Sequence, residues 1–301
     1  MANYGMPYRG SKDSIVHKLA YLFPKADNFY DLFGGGFSVS HFMLWHHASK
    51  YKRFFYNEPA PGVAQLVRDA IAGKYNYNIF KPKWISREEF FRRKDTCAYT
   101  RCIWSFGNNQ KGYLFSEENE LNKKSLHQAV VFNEFDSLAV DFLKMNRFSG
   151  KLSIRDRRLL CRQIILKRQG ELQQLEQLQR LQQLERLERL ERLERLQQLE
   201  QLEISNKSYD EIQILPNSII YCDPPYLGTA PYLNSFGHDK FWNWVRKQTE
   251  QVFISEYQAP KDIKVVMAIN KKTRLSQKGT TNAPPEKLFH WKGLSLNSLP
   301  K

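Results

Sequence analysis

The stretch NFYDLFGGGF at residues 28–37 runs from apolar and aromatic residues into three consecutive glycines. An amphipathic run follows at residues 39–47. Glycine adopts positive φ at little cost and lets a ligand approach the backbone, so a glycine turn suits a nucleotide site as well as a tight turn. The stretch therefore predicts a strand, a glycine turn and a helix, in that order.

The alternation of strands and helices continues on both sides of this stretch. Residues 218–222 (SIIYC) form a short β-branched and aromatic run, which is typical of a buried central strand. Further strands are predicted at 52–56, 251–255 and 264–269, and further helices at 62–71 and 241–248. This alternation predicts an α/β fold with a mostly parallel, Rossmann-like sheet, whose ligands bind at the carboxyl ends of the strands.

Composition divides the chain into four predicted parts. The α/β pattern occupies residues 1–82 and 204–301, and residues 83–170 interrupt it with many Arg, Lys and aromatic residues. We expect this middle part to be a helix-rich subdomain. Residues 171–203 form the fourth part, a repeat of leucine triplets.

The repeat places a leucine at every third position from Leu172 to Leu202, separated only by Gln, Glu and Arg. These residue types favour helix, so the tract predicts one long helix of about 45–50 Å. A step of three residues turns about 300° around a helix, so the leucines circle it instead of forming the seam of a coiled coil. We therefore expect a helix inserted into an older fold, and self-association through residues 171–203 is left open without a defined geometry.

Composition also excludes several classes of protein. The chain has 301 residues, enough hydrophobic content for a core, and a net charge of +15 that favours nucleic acid as the partner. No run approaches the roughly 18 apolar residues of a membrane span, and the first residues lack the apolar stretch of a signal peptide. The four cysteines show no disulfide or metal-ligand spacing, which predicts reduced thiols in the cytoplasm and no metal site.

The segment Asp223-Pro224-Pro225-Tyr226 directly follows the predicted central strand. Proline fixes φ and lacks a backbone N–H, so the loop is rigid and its carbonyls can accept hydrogen bonds. A carboxylate and a proline carbonyl can together hold both hydrogens of an exocyclic amine, while the aromatic ring stacks on the heterocycle that carries the amine. A Pro-Pro turn that only caps the strand is the alternative.

A second acidic residue follows the predicted strand at residues 52–56. Glu58 lies where an acid can accept hydrogen bonds from ribose hydroxyls, as in dinucleotide-binding folds. The glycine turn before it lacks the Lys-Ser/Thr ending of a P-loop and does not have the GxGxxG spacing. A solvated loop acid is the alternative for Glu58.

Taken in order, these motifs resemble those of the S-adenosylmethionine-dependent DNA adenine N6-methyltransferases of the Dam-like D12 class. The resemblance covers residues 6–72 and 207–290 and includes the aromatic-x-Gly-Gly-Lys motif, matched by Tyr8 to Lys12 with Ser11 in place of one glycine. It implies a class I methyltransferase sheet, with residues 83–170 as the target-recognition subdomain. The implied cofactor is S-adenosylmethionine and the implied partner is double-stranded DNA.

The resemblance also assigns roles to individual residues. The residues expected to bind the cofactor are Tyr8, Gly10, Lys12, Asp31, Phe33, Gly34, Gly36, Glu58, Asp210 and Asp223. The residues of the catalytic loop are Asp223, Pro224, Pro225 and Tyr226. The implied reaction is methyl transfer to N6 of an adenine that has been flipped out of the duplex.

The basic charge then predicts contacts to DNA phosphates. One candidate set lies among the aromatic residues of the middle part and a second near the C-terminus: Arg87, Arg92, Arg93, Lys94, Arg101, Lys271, Lys272 and Arg274. For any single one of them, a solvated basic side chain is the alternative.

Two segments, 104–109 and 123–127, resemble a mobile-element-like subgroup of the family, and the Dam-type pattern for GATC recognition is not visible. The family resemblance implies a bacterial or phage origin, with a cognate restriction endonuclease as a candidate partner that the sequence leaves undecided. Two alternatives stay open, a methyltransferase that acts on RNA and a catalytically idle DNA-binding or assembly protein.

Overall fold

A computed structural model of the protein describes residues 4–167, 181–196, 199–227, 236–269 and 285–292. The chain forms two compact units. The first contains the described residues within Met1–Tyr4, Lys12–Ala64 and Gln197–Lys301, and the second those within Gly5–Ser11 and Gln65–Leu196. In the described parts of the chain, every helix is too short or too polar to span a bilayer.

The first unit is built on a seven-stranded sheet with the order β3-β2-β1-β4-β5-β7-β6. The strands are β1 (Asn28–Asp31), β2 (Arg53–Asn57), β3 (Leu202–Ser205), β4 (Ser218–Cys222), β5 (Gln251–Glu256), β6 (Lys264–Ile269) and β7 (Glu286–Trp291). β1 to β5 pair in parallel, and β7 runs antiparallel to β5 and β6. This confirms the predicted Rossmann-like α/β sheet. β3 and β7 were not predicted as strands.

Alternate side chains of the central strands pack into two cores, as expected for a parallel sheet covered on both faces. On one face, the ring of Phe23 lies 5.2–5.5 Å from the rings of Phe29, Tyr221 and Phe253. On the other face, side chains of the central strands form a second core with Phe241 and the aromatic and aliphatic residues packed around it. The helices outside the second unit are α1 (Val16–Leu22), α2 (Ser38–His47) and α10 (His238–Arg246), and α3 (Val63–Ile71) includes the boundary between the units.

The second unit is helical, as predicted for the middle of the chain. Its helices are α4 (Arg87–Arg93), α5 (Ala98–Ile103), α6 (Glu117–Phe132), α7 (Ser137–Leu143), α8 (Ile154–Lys167) and α9 (Gln182–Glu191). Side-chain caps fix two of the helix starts. Ser86 accepts a hydrogen bond from Glu89 N at 3.2 Å, and Asp136 accepts one from Ala139 N at 2.9 Å.

The leucine-triplet tract is not one long helix, and this prediction was wrong. In its described part, α9 ends at Glu191, 3₁₀ turns follow at Arg192–Arg195 and Leu199–Gln201, and Leu202 begins β3. Residues 172–180 and 197–198 of the tract lie outside the described residues.

The described triplet leucines lie in the core of the second unit. The leucines at 184, 187, 190 and 193 are fully buried. The polar residues between them find buried partners: Arg186 donates to Ile103 O at 2.8 Å, and Glu188 accepts from Arg158 Nε at 2.7 Å. A helix with leucines on all sides is stable only when it is enclosed, so α9 is a core helix here and not a surface insertion.

We expect Leu187→Ala to lower the free energy of unfolding by about 2–5 kcal/mol, because it leaves a cavity around a fully buried side chain. The matched control is Leu199→Ala, the same change in the same tract at a side chain that is 36% exposed, with an expected cost under about 1 kcal/mol. Urea unfolding followed by circular dichroism measures both. Equal losses in the two variants would contradict the core placement of α9.

Candidate functional site

The site lies where the strand order of the sheet reverses, between β1 and β4. Ligands of open α/β sheets bind at the carboxyl ends of the strands at this point. Asp31 is the last residue of β1, and Asp223 directly follows β4. The two strands are joined up to this edge, where Leu32 N donates to Tyr221 O at 3.0 Å. In-register pairing therefore brings both acids to one edge of the sheet.

A buried ammonium group links an acid of the predicted catalytic loop to a second acid on β7. Lys12, which is 3% exposed, places Nζ 2.7 Å from Asp223 Oδ2 and 3.2 Å from Glu286 Oε1. The hydroxyl of Tyr226 donates to Glu286 Oε1 at 3.1 Å, and Lys12 Nζ lies 5.0 Å from the centre of the Tyr226 ring. The four side chains form one connected cluster in the first unit.

Burial and the charges within this cluster together set the pKa values of Asp223 and Lys12. Burial raises the pKa of Asp223 to about 6, although the charge of Lys12 opposes the rise. Burial alone would lower the pKa of Lys12, but the charges of Asp223 and Glu286 outweigh it and raise that pKa above its ordinary value. Lys12 is therefore a permanent cation, and Asp223 is ionised above about pH 6.

Two carboxylate oxygens at this edge are buried without a hydrogen-bond partner among the described residues: Asp31 Oδ1 and Asp223 Oδ1. The other oxygen of Asp31 accepts from Ser40 Oγ at 2.7 Å and Ser40 N at 3.2 Å. A buried acceptor without a partner costs free energy, so an oxygen of this kind is ready to accept a hydrogen bond from a ligand.

The glycine turn is shaped by the aromatic ring beneath it. A Cβ on Gly34 would lie 2.2 Å from the ring of Tyr56, so no side chain fits there. Tyr56 donates its hydroxyl hydrogen to Gly35 O at 2.7 Å. Glu58 holds the turn from the end of β2, because its Oε2 accepts from Gly35 N at 2.7 Å and its Oε1 from Ala60 N at 2.9 Å. Glu58 thus has a structural role, and its contact with a ribose stays a prediction.

Two other predicted cofactor residues lie on the same unit. Asp210 pairs with Lys240 at 2.6 Å and accepts from Ser208 Oγ, and the Lys240 hydrogen bond is the main reason that its pKa is lowered. The ring of Phe33 packs against Tyr209 at 5.4 Å, as part of the aromatic core.

Tyr8 and Gly10 belong to the segment Gly5–Ser11, which groups with the second unit. Their part in the site stays a prediction. In the catalytic loop, Pro224 is buried and Pro225 is half-buried.

The DNA-binding candidates have different surroundings. Arg101 is 2% exposed and donates to Gln110 Oε1 at 2.9 Å and Lys94 O at 3.1 Å, so it stabilises the second unit and the prediction of a phosphate contact is wrong for it. Arg92 is exposed.

The other candidates on α4 and beside it have internal partners. Arg87 contacts Phe115 O at 2.7 Å and Glu120 at 3.3 Å, Arg93 pairs with Glu89 at 2.5 Å, and Lys94 pairs with Asp95 at 2.9 Å. Lys271, Lys272 and Arg274 lie outside the described residues.

Sequence reasoning did not assign a site role to Glu286, Ser40 or Glu256. Glu286 lies within residues 207–290, which the family resemblance covers, and this was the one signal available for it. Ser40 lies one helical turn after the glycines, and its contact with Asp31 depends on how α2 leaves the turn. Glu256 ends β5 and is 0% exposed.

We expect Asp31→Asn to stabilise the protein at alkaline pH. Burial raises the pKa of Asp31 from 3.8 to about 7, with smaller opposing effects from Ser40, so the folded state binds this proton more tightly than the unfolded state. Stability therefore falls as pH rises between these values, by about 4 kcal/mol at roughly 1.4 kcal/mol per pKa unit. Thermal unfolding at pH 4, 6 and 8 should show the variant gaining on the wild type as the pH rises.

The control for this prediction is Asp262→Asn. The Arg246 side chain, hydrogen-bonded to Asp262, lowers the pKa of that carboxyl below 3.8, so both the folded and the unfolded state hold it ionised at pH 6 and 8, and the stability difference between Asp262→Asn and the wild type should stay nearly constant over that range. An Asp31→Asn variant that is less stable than the wild type at pH 8 would contradict the raised pKa.

Comparison with known proteins identifies the family of the chain. The model of the family described as D12 class N6 adenine-specific DNA methyltransferase matches residues 8–292, which is most of the chain and includes both the glycine turn and the Asp223 loop. No curated protein matches the chain significantly. The chain belongs to the D12 class of N6 adenine-specific DNA methyltransferases.

Proposed function

We propose that Asp223, Pro224 and Tyr226 hold the target adenine and orient its N6 atom for methylation. The class to which the chain belongs methylates N6 of adenine in DNA with S-adenosylmethionine as the donor. The observation that carries the proposal is Asp223 Oδ1, a buried acceptor without a described partner at the point where the strand order reverses. An exocyclic amine offers the hydrogen that this oxygen lacks.

The donor set at this edge fits the cofactor of the class. S-adenosylmethionine supplies a methyl group on a positively charged sulfonium. Lys12 pairs with Asp223 and Glu286, and two further buried acids, Asp31 and Glu58, lie in the same unit. Among the described residues of this edge the acids outnumber the ammonium that Lys12 supplies, which favours a cationic ligand. Within the first unit, the glycine turn, Lys12, Asp31, Glu58 and Asp210 would hold the cofactor. For Tyr8 and Gly10, a cofactor contact is what the resemblance implies.

The chemistry asked of the protein is orientation more than acid–base catalysis. The lone pair of an adenine amine is delocalised into the ring. Asp223 and the Pro224 carbonyl would each accept one N6 hydrogen, which favours the more pyramidal, attacking form of the nitrogen in the transition state. Tyr226 would stack on the flipped base and repay part of the few kcal/mol that flipping costs.

Lys12 keeps Asp223 in the state that this role requires. Only the ionised carboxylate accepts hydrogen bonds with both oxygens. Lys12 holds Oδ2 at 2.7 Å and so opposes the effect of burial on the pKa of Asp223, while Oδ1 stays available to the substrate. The same contact holds the carboxylate plane in place.

For DNA binding, the proposal assigns target recognition to the helical middle of the chain. The net charge of +15 supports a phosphate-binding surface. Arg92 is exposed at the end of α4 and is the leading phosphate contact, whereas Arg87, Arg93 and Lys94 already have internal partners. Self-association through residues 171–203 is not part of the proposal, because the described leucines between 181 and 196 are buried.

The finer assignments also stay proposals. They are a bacterial or phage origin, membership of the Dam-like, mobile-element-like subgroup, and a cognate restriction endonuclease against which methylation would protect the DNA. Single-molecule sequencing of DNA from cells that express the protein would report the modified base and its sequence context. Transfer of labelled methyl groups to duplex DNA and to RNA, measured side by side, shows which nucleic acid is the substrate.

We expect Asp223→Asn to lower the single-turnover rate of methyl transfer by about 100-fold or more, because the amide cannot accept hydrogen bonds with both of its polar atoms. The measurement is transfer of labelled methyl groups to adenine-unmethylated plasmid DNA. Asp27→Asn is the control, since Asp27 precedes β1 and pairs with Lys52 at 2.9 Å. Near-normal turnover by Asp223→Asn would contradict the role proposed for this carboxylate.

Arg92→Ala should weaken binding of plasmid DNA and lower the slope of log K against log salt by about 1, as expected for one lost phosphate contact. Binding is measured by fluorescence anisotropy of labelled duplex DNA at several salt concentrations. The control is Arg53→Ala, on β2, where the arginine pairs with Glu203. An unchanged slope for Arg92→Ala would remove this residue from the proposed DNA surface.

A further inference from the structure

A buried carboxylate that the proposed chemistry does not use lies behind the catalytic loop. Glu256 is the last residue of β5 and is 0% exposed. Both of its oxygens accept backbone hydrogen bonds: Oε1 from Leu227 N at 2.5 Å, and Oε2 from Tyr257 N. Burial of a carboxylate is costly unless such bonds compensate it, and here they connect the end of β5 to the residue after Tyr226.

A second side chain holds the other side of Tyr226. His238, the first residue of α10, lies with Nε2 2.9 Å from Pro225 O. Since a carbonyl only accepts, Nε2 carries a hydrogen and donates it. The same atom lies 3.8 Å from Glu256 Oε1. The peptide group before Tyr226 is thus bound by His238, and the peptide group after it by Glu256.

Glu256 also fixes the aromatic neighbour of Tyr226. The ring of Tyr257 meets the Tyr226 ring edge to face, with centroids 4.7 Å apart and planes at 81°. Because Glu256 binds the backbone N–H of Tyr257, one carboxylate holds both the chain that carries the Tyr226 ring and the ring that packs against it.

We propose that Glu256 is a positioning residue which, together with His238, fixes Tyr226 in the orientation needed to stack on the target adenine. The proposal rests on the role of Tyr226 given under Proposed function. The loop needs such support, because Pro224 and Pro225 have no N–H with which to anchor it by backbone hydrogen bonds.

The consequence is a kinetic effect specific to the step in which the base is held. A misplacement of about 1 Å at a positioned group can slow a reaction about 100-fold. Loss of the Glu256 contacts should therefore lower kcat on DNA and leave the KM for S-adenosylmethionine unchanged, since Glu256 contacts the loop that is proposed to bind the base.

The test compares Glu256→Gln with Glu250→Gln. Glutamine keeps one acceptor oxygen and turns its NH₂ group toward the second N–H, so one of the two backbone hydrogen bonds, to Leu227 N or to Tyr257 N, is lost. Glu250, the residue before β5, is a matched control at the opposite end of the strand from Glu256, because its Oε2 also accepts a backbone hydrogen bond, from Ser218 N at 2.9 Å. Steady-state methylation of adenine-unmethylated plasmid DNA and thermal unfolding are measured for both variants.

We expect Glu256→Gln to lower kcat by about tenfold or more with an unchanged KM for S-adenosylmethionine, and Glu250→Gln to change kcat by less than about twofold. His238→Ala should lower kcat in the same way, and it decides the question if Glu256→Gln does not fold. A kcat for Glu256→Gln, or in its place His238→Ala, that equals the Glu250→Gln value would overturn the inference, as would a loss that only follows the folded fraction.

The parent proposal is tested separately by Tyr226→Ala and Asp223→Asn. If these two variants transfer methyl groups normally, the proposed function fails and the role of Glu256 fails with it. If they are inactive while Glu256→Gln and His238→Ala match the control, the inference alone is wrong.

Discussion

The parallel pairing of β1 with β4 is the constraint on which the site depends. Register places Asp31 opposite Tyr221, so the acid that ends β1 and the acid that follows β4 reach the same edge of the sheet. These strands are distant in sequence and adjacent in space, and the strand order reverses between them. A slip in this register by one residue would turn the buried side chains to the opposite face and separate the two acids.

The same edge is where the fold gives up stability. Burial raises the pKa of Asp31 to about 7 and that of Asp223 to about 6, so near neutral pH the folded protein holds carboxylates that an unfolded chain ionises more easily. The charge of Lys12 opposes this rise for Asp223, whereas the hydrogen bonds from Ser40 oppose it for Asp31. Negative charge that the protein neutralises only in part is suited to a cationic methyl donor, and this gives a physical reason for a cost that the fold alone does not require.

Local patterns were sufficient for the part of the fold that carries the chemistry. The strand, glycine turn and helix at 28–47, the central strand at 218–222 and the loop after it follow from short-range rules, and the sheet has them where the sequence predicts them. Side-chain periodicity does not report what encloses a helix. The leucine triplets therefore predicted one long inserted helix, although α9 lies in a core and Leu202–Ser205 pairs in parallel with β2.

Tertiary context decided the remaining differences as well. Arg101 has the same residue type and spacing as its basic neighbours, and only the packing of the second unit shows that it is buried. Glu286 lies on β7 and Glu256 on β5. Their contacts with Tyr226 and Leu227 depend on the order of the strands, which local sequence patterns do not reveal.

These carboxylates, which are distant from the loop in sequence, also show which parts of the sheet orient the loop after β4. The loop Asp223–Tyr226 holds, in four consecutive residues, the groups that we propose bind the target base, but two of these residues are prolines and cannot donate a backbone hydrogen bond. The orientation of the loop must then come from elsewhere in the sheet, and the structure has it from Lys12 and Glu286 on one side and from Glu256 and His238 on the other. Because the two prolines already restrict the backbone of the loop, few such contacts are enough to fix its orientation. The chemistry of the loop can therefore be encoded locally, while its geometry depends on the whole sheet.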